Sequence, residues 1–391
     1  MSGAYLFKEV RVANPREVFD VDIRVSNGRI IELAPNLKER CKEKVLDCAG
    51  LLACPGLINA HDHLQFNLYS RIGNPPYENS YEWGNDIRLR FTTTVESIER
   101  VPTRLRYLWG AWKNLFSGVT LVMHHDPYSH HFRFLFPISV FRHYTFAHSL
   151  GNETNIVQKL NDRKQNTPFV IHLAEGTDDV TGTEVETLKQ LGGMDERTVV
   201  VHAINISPKD IDVLKQTGTS VVWCPSSNQF LFGKTAPVYA LWGKVPVALG
   251  TDSTLTGSVT MFEEMQSAHR MSTRSAQEIL QMVTETPRRI FNLPFDAGQI
   301  LESGAADFFL LPSNSADPYE AILNAHPEDI ALLMRQGKII FSDDTTLPSL
   351  QNRTGSLLFG ERHKTITNHR CIKLFHKLRP FLHHYSYLNA N

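Results

Sequence analysis

Apolar and polar positions divide the chain into three patterns. In the first fifty residues the periodicity is two. Phe19, Val21, Ile23 and Val25 fall on one side, and Asp20, Asp22 and Arg24 on the other. That alternation marks a half-buried strand. Ser26-Asn27-Gly28 supplies a hairpin-type turn, after which Arg29-Ile30-Ile31-Glu32-Leu33 resumes the strand, and residues 5–12 are a further strand. Over residues 57–292 short apolar runs alternate with helix-like segments. Strands are expected at 118–123, 145–147, 169–171, 199–201, 220–223 and 245–249, with helices over 104–116, 184–191, 208–216 and 261–271. Strand-helix alternation of this length predicts an α/β protein whose parallel sheet closes into a TIM-like barrel. Beyond it the chain returns to strands at 306–311 and 337–341. These complete an N-terminal sheet that has too few strands to bury a core alone.

The domains expected are therefore residues 1–55 as the first part of a small β-sandwich built from both chain ends, 56–295 as the β/α barrel, and 296–344 as the second part of the sandwich. Residues 345–391 are read as a C-terminal appendage for packing or assembly. Ile372, Phe375 and Leu378 recur there at helical spacing, an apolar stripe that allows a homodimer.

Composition narrows the partners. Hydrophobic residues make up 42% of the chain, charged residues 21%, and the formal net charge is −1, which gives no sign of a nucleic-acid or membrane partner. No apolar run spans a bilayer, no secretory signal opens the chain, and the five cysteines are scattered without a Cys-x-x-Cys pair. A cytoplasmic protein acting on a small molecule is expected.

The candidate chemistry begins at His61-Asp62-His63, which ends an apolar run after Pro55-Gly56. Alternate strand residues point the same way, so His61 and His63 converge and Asp62 faces away. With 17 histidines in the chain, roughly one His-x-His would arise by chance. The remaining strand ends change that weight. His172 follows Phe169-Val170-Ile171, His202 follows Val199-Val200-Val201, and Asp252 follows Leu249-Gly250-Thr251; Glu175 lies just after His172. Each alone has a structural reading, Asp252 as a helix N-cap for example. Together they meet at the C-terminal face of a barrel, where active sites of this architecture sit.

These residues stand in motifs that resemble the amidohydrolase superfamily, in its cytosine deaminase and chlorohydrolase-like branch. The matching pieces, in the family's order, are Pro55-Gly56-Leu57-Ile58-Asn59-Ala60-His61-Asp62-His63-Leu64, His172-Leu173-Ala174-Glu175, Val201-His202-Ala203, Cys224-Pro225-Ser226-Ser227-Asn228, Leu249-Gly250-Thr251-Asp252-Ser253 and Gly304-Ala305-Ala306-Asp307. The resemblance implies one divalent metal, zinc or iron, held by His61, His63, His172 and Asp252. It implies catalytic roles for Glu175 as proton shuttle, His202 toward water or substrate, and Asp252 toward the attacking water. The implied activity is metal-dependent hydrolysis of a C–N bond other than a peptide bond, foremost deamination of a pyrimidine, purine or pterin. Hydrolysis of a cyclic amide or a C–halogen bond is the alternative, and a non-catalytic binding protein on the same fold is a third reading.

Two departures accompany the resemblance. The family's strand-four motif, a His before Ala-Pro-Tyr, is absent, and residues 124–168 are short for two full strand-helix units. An abbreviated third or fourth strand is expected. His148 takes a related place, and His124 and His125 after the second strand are further substrate-side candidates. Gln65, Trp83 and Asn228, in the loops after the first and seventh strands, complete the tentative substrate contacts.

Overall fold

Eight strands of the middle region run parallel and lie in chain order across two sheets of this computed structural model. Leu57–Asp62, Val119–His124 and Ser139–Val140 form one sheet; Thr145–Ser149, Phe169–Leu173, Thr198–His202, Ser220–Trp223 and Val247–Leu249 form the other. The structure describes residues 3–343 and 355–389, so the part of the expected appendage at 345–354 and 390–391 lies outside the described residues. The strands are apolar along their whole length because both faces are covered. Ile58, Ala60, Met123, Val170, Val199, Val201, Val222 and Ala248 share one inner cluster. Their neighbours Leu57, Val119, Ile171, Val200, Val221 and Leu249 join the outer core beneath the helices.

The two sheets approach where the eighth strand meets the first. The Asp252 amide donates to the His61 carbonyl at 3.0 Å. Gly250 permits this contact, since a Cβ there would lie 2.5 Å from the His61 Cβ. Helix boundaries follow local chemistry. Ser207 and Asp210 form a capping box at the start of Pro208–Thr217, and Gly218 closes it in the left-handed conformation.

The expected shortening is in the third strand. Ser139–Val140 is preceded by a single 3-10 turn at His130–Phe132, and residues 141–144 join it to the fourth strand without a helix. The fourth is followed by a short helix, Ile156–Asn161.

Strands from both chain ends do join in one sheet of eleven strands. Leu51–Pro55 from the N-terminal part pairs antiparallel with Phe308–Pro312, with Cys54 opposite Phe309. Ser356–Phe359, Arg362–Ile366 and Leu388–Asn389 extend this sheet at its far edge. The C-terminal helix His369–Leu378 packs on the barrel side: Phe375 lies 6.5 Å from Trp109 between ring centroids, and the Tyr385 hydroxyl donates to the Asn67 carbonyl at 2.5 Å. Of the apolar stripe, Phe375 and Leu378 are buried within the chain, and Ile372 is half-buried. Among the described residues no helix is long and apolar enough to cross a membrane.

Candidate metal centre

The inner positions of the parallel strands lead directly to the site. Met123 and Val170 face the inner cluster, and two residues further along the same faces stand His125 and His172. On the first strand, Ile58 and Ala60 face inward, and strict alternation would send Asp62 the same way. The ladder to the second strand is irregular between Asn59 and Asp62, and this irregularity re-aims the strand end. His61 and His63 enter the centre, and Asp62 turns into the wall.

Donor atoms of His61, His63 and Asp252 lie within 4.8 Å of one another, as do those of His61, His125 and His172. His61 Nε2 is 3.3 Å from His172 Nε2 and 3.7 Å from Asp252 Oδ1, and His63 Nε2 is 3.9 Å from the same oxygen. The outer atoms decide the tautomers. His172 Nδ1 faces the His148 carbonyl at 2.6 Å, and His63 Nδ1 faces Asp126 Oδ2 at 3.1 Å. A carbonyl can only accept, so the His172 proton is on Nδ1 and its Nε2 lone pair faces His61. Such outer partners are the usual way to orient metal-binding imidazoles. Asp252 Oδ2 accepts from Ser227 Oγ at 2.9 Å and Thr256 Oγ1 at 2.7 Å, which leaves Oδ1 for the centre.

Burial, reinforced by the neighbouring imidazoles, holds His61, His125 and His172 well below the usual histidine range. They are neutral and carry free lone pairs, as metal ligands must. His63 differs. Burial lowers it too, but the hydrogen bond to Asp126 and the charges of Asp126, Asp252 and Asp62 outweigh burial and raise it to about 9. The lone pairs of His61, His125 and His172 beside Asp252 Oδ1, all buried, fit a divalent cation of zinc or iron type, and such a cation would take the place of the His63 Nε2 proton.

Glu175 stands beside this cluster. Its Oε1 is 3.5 Å from His202 Nε2, and His202 Nδ1 is 2.8 Å from Asn228 Oδ1. Burial raises the Glu175 carboxyl above its ordinary range, Asp252 adds to the rise and His202 opposes it. His202 and Asp252 both have positive φ, 73° and 54°. For residues with a Cβ this costs about 1–3 kcal/mol each, and such strain concentrates at functional sites.

The tentative substrate-side residues separate. His148 is exposed on the rim, 4.9 Å from the His172 ring. Gln65 lies behind His63, donating to Asp126 Oδ2 at 2.6 Å. Trp83, on the helix Ser80–Arg90, donates its indole N–H to the Ile72 carbonyl and packs against the cluster of Tyr77, Ile204, Leu231 and Phe232. His124 leaves the cluster, because its strand neighbour His125 takes the inward face; it packs edge-on against Tyr107 and Phe132.

Sequence reasoning missed the wall behind the centre. Asp62 and Lys113 form a fully buried ion pair at 3.3 Å. Asn114 and Asn67 donate to the same carboxylate, and Lys113 also reaches Thr251 Oγ1 at 2.9 Å. Asn59 bridges Asp62, Asn114 and Thr251. The network ties the first strand to the eighth. Its signal was visible: Lys113 is a charge inside the apolar helical stretch Trp109-Gly110-Ala111-Trp112-Lys113-Asn114-Leu115.

Comparison with known proteins agrees with the motifs. The Amidohydrolase family model matches residues 152–340. A 5'-deoxyadenosine deaminase of Methanothrix thermoacetophila is 26% identical, over 75% of this chain and 81% of its own length. A 5-methylthioadenosine/S-adenosylhomocysteine deaminase of Caldicellulosiruptor saccharolyticus is 24% identical, over 85% and 91%. Among solved structures, a zinc-bound adenosine deaminase from Xanthomonas campestris superposes with a TM-score of 0.74 at 18% identity, covering 96% of this chain and 97% of that one. A zinc complex of atrazine chlorohydrolase from Arthrobacter aurescens superposes at 0.73 and 14% identity, covering 97% and 100%. The fold is the one these enzymes share, and the amidohydrolase resemblance read from the motifs is borne out.

Proposed function

We infer that this amidohydrolase-family chain is a metal-dependent aminohydrolase that removes the exocyclic amine of a purine, with an adenosine-type nucleoside as substrate. The observation that carries the reading is the buried Glu175–His202 pair set against the His61, His63, His172 and Asp252 donor set. The curated relatives are named as deaminases of adenine nucleosides, which supports a purine over a pyrimidine or pterin. We read the eight parallel strands as a TIM-like barrel with a shortened third unit, and the eleven-stranded sheet as a sandwich folded around its own core of Phe7, Ile23, Phe308 and Leu332.

His61, His63, His172 and Asp252 would hold one divalent metal, zinc or iron. When bound, such an ion acidifies water toward neutrality and polarises the electrophile. Asp252 Oδ2 is fixed by Ser227 and Thr256, so the carboxylate presents Oδ1 in one orientation. Glu175 takes a proton from the attacking water and delivers it to a ring nitrogen, which makes the amine-bearing carbon electrophilic. His202, whose Nδ1–H donates to Asn228 Oδ1, presents its Nε2 as an acceptor toward the attacking water. The C–O bond forms, the C–N bond breaks, and ammonia leaves with a proton passed by Glu175. His148 on the rim is the substrate-side histidine. His125 stands among the ligand histidines, with Nε2 held by the Ala147 carbonyl at 3.1 Å. The five cysteines are all free and four are buried, which supports a reducing, cytoplasmic setting.

Ammonia release from adenosine, 5'-deoxyadenosine, 5'-methylthioadenosine and S-adenosylhomocysteine by the zinc-loaded enzyme tests this reading. Turnover of at least one is expected. Zinc-loaded protein that releases chloride from a chlorotriazine but ammonia from no purine would favour the C–halogen alternative. Protein that binds no metal would favour a binding role.

A further inference from the structure

The shortened third strand leaves a second cleft, away from the metal centre. Most connections in the parallel region carry helices, but the one entering Ser139–Val140 has only the His130–Phe132 turn and the one leaving it has none. Over that gap lies a cleft of about 890 Å³, walled by residues 128–140, the Arg335–Ile340 turn and the start of the C-terminal helix. Its apolar side is aromatic: Trp112, Phe132 and Phe136 are buried and Tyr128 is half-buried. Its polar side is cationic. Arg133, Arg335, Lys338 and Arg370 line it, and among the described residues no carboxylate does.

None of these four cations makes an ion pair with a described residue. Arg335 donates from Nη2 to Ser139 Oγ at 2.9 Å, while its Nε is buried with no partner among the described residues. An unpartnered buried guanidinium N–H costs free energy that an anion would recover through a charge-assisted hydrogen bond. Asp307 acts on Arg335 through its charge without forming an ion pair, and its Oδ1 accepts the Gln336 amide. The buried Arg335 Nε stands with three exposed cations, Arg133, Lys338 and Arg370, beside an aromatic wall, and together they favour an anion with a planar apolar body.

We propose that this cleft is a binding site for a small aromatic anion, with its planar body against Trp112, Phe132 and Phe136 and its anionic group on Arg335 and Arg370. The site is separate from the metal centre, so its fate does not depend on the deaminase reading.

The test uses the full chain and the probe 1-anilinonaphthalene-8-sulfonate, followed by fluorescence titration. One saturable site is expected. Arg370→Gln, on the exposed helix start, and Arg335→Gln should each weaken binding at least about tenfold, the loss of one charge-assisted contact. The unsulfonated N-phenyl-1-naphthylamine should bind more weakly still. Displacement by phenyl phosphate or by benzoate then separates a phosphate from a carboxylate ligand. Circular dichroism checks that each variant folds, and Lys338→Gln on the exposed rim replaces any that does not. The absence of saturable binding overturns the proposal. So do unchanged affinities in the Arg370 and Lys338 variants, or equal binding of the sulfonate and the neutral amine.

Discussion

The two parallel sheets build the same centre by different means. In the five-stranded sheet the candidate site residues stand at or just past strand ends: His172 and His202 lie at the ends of Phe169–Leu173 and Thr198–His202, with one register shift at Ile171–His172 against the fourth strand, and Asp252 lies just beyond Val247–Leu249. The three-stranded sheet has a ladder irregularity at Asn59–Asp62 and a two-residue third strand, and His61 and His63 there depend on side chains for their placement. Asn59, Asp62, Lys113 and Asn114 do the aiming as one buried network, with Asp126 on the His63 ring, where the other sheet uses separate contacts from the His148 carbonyl, Asn228, Ser227 and Thr256. The longer sheet delivers its candidate ligands chiefly by strand position. An abbreviated one needs a buried polar scaffold.

That difference can be broken from either side. The largest effect is expected from the five-stranded sheet, where His172→Ala removes a donor that no scaffold replaces; metal content after dialysis should fall to background, and ammonia release with it. Glu175→Gln should retain its metal yet lose about 10²–10⁴-fold in kcat, the usual worth of a positioned acid-base group. Metal analysis beside steady-state kinetics checks both halves of that statement. On the abbreviated side, Lys113→Met strands the Asp62 carboxylate in a dry wall and should cost about 3–5 kcal/mol in denaturant unfolding. Asp126→Asn leaves the fold intact but frees the His63 ring, and metal affinity by chelator competition should drop about 10–100-fold.

The smallest effect concerns pH. Glu264, in the helix Met261–Ser272 behind the seventh strand, is raised by burial to about 7, against hydrogen bonds from Ser258 and Ser226. Its folded-state carboxyl binds a proton more tightly than the unfolded chain does. Stability from this group is therefore full below about pH 4.5 and declines as pH rises to 7. Glu264→Gln should remove that decline and stabilise the protein at pH 8 relative to pH 5 by on the order of 2 kcal/mol. Melting curves at the two pH values measure it.

How much the sequence disclosed follows the same division. Strand ends in the five-stranded sheet are legible because an apolar run stops at a polar ligand, and that signal is local. The pairing of residues 51–55 with 308–312 was foreseen as a need for more strands, since a short sheet cannot bury a core. Lys113 and Asp126 were not foreseen, because their partners come from other elements and nothing in local spacing names them. His124 and His125 looked alike in sequence; only the strand's inward face distinguishes them. The apolar stripe of the C-terminal helix was legible as an interface, but periodicity cannot say whether the other side is a second copy or the barrel's own Trp109.

The central claim is a centre that needs one metal and no more. Apoprotein prepared with a chelator should be titrated with zinc while ammonia release from 5'-deoxyadenosine, or whichever adenine nucleoside proves active, is followed. Activity should rise linearly and stop at one equivalent. A rise that continues to two equivalents, or activity that survives complete metal removal, would contradict the account.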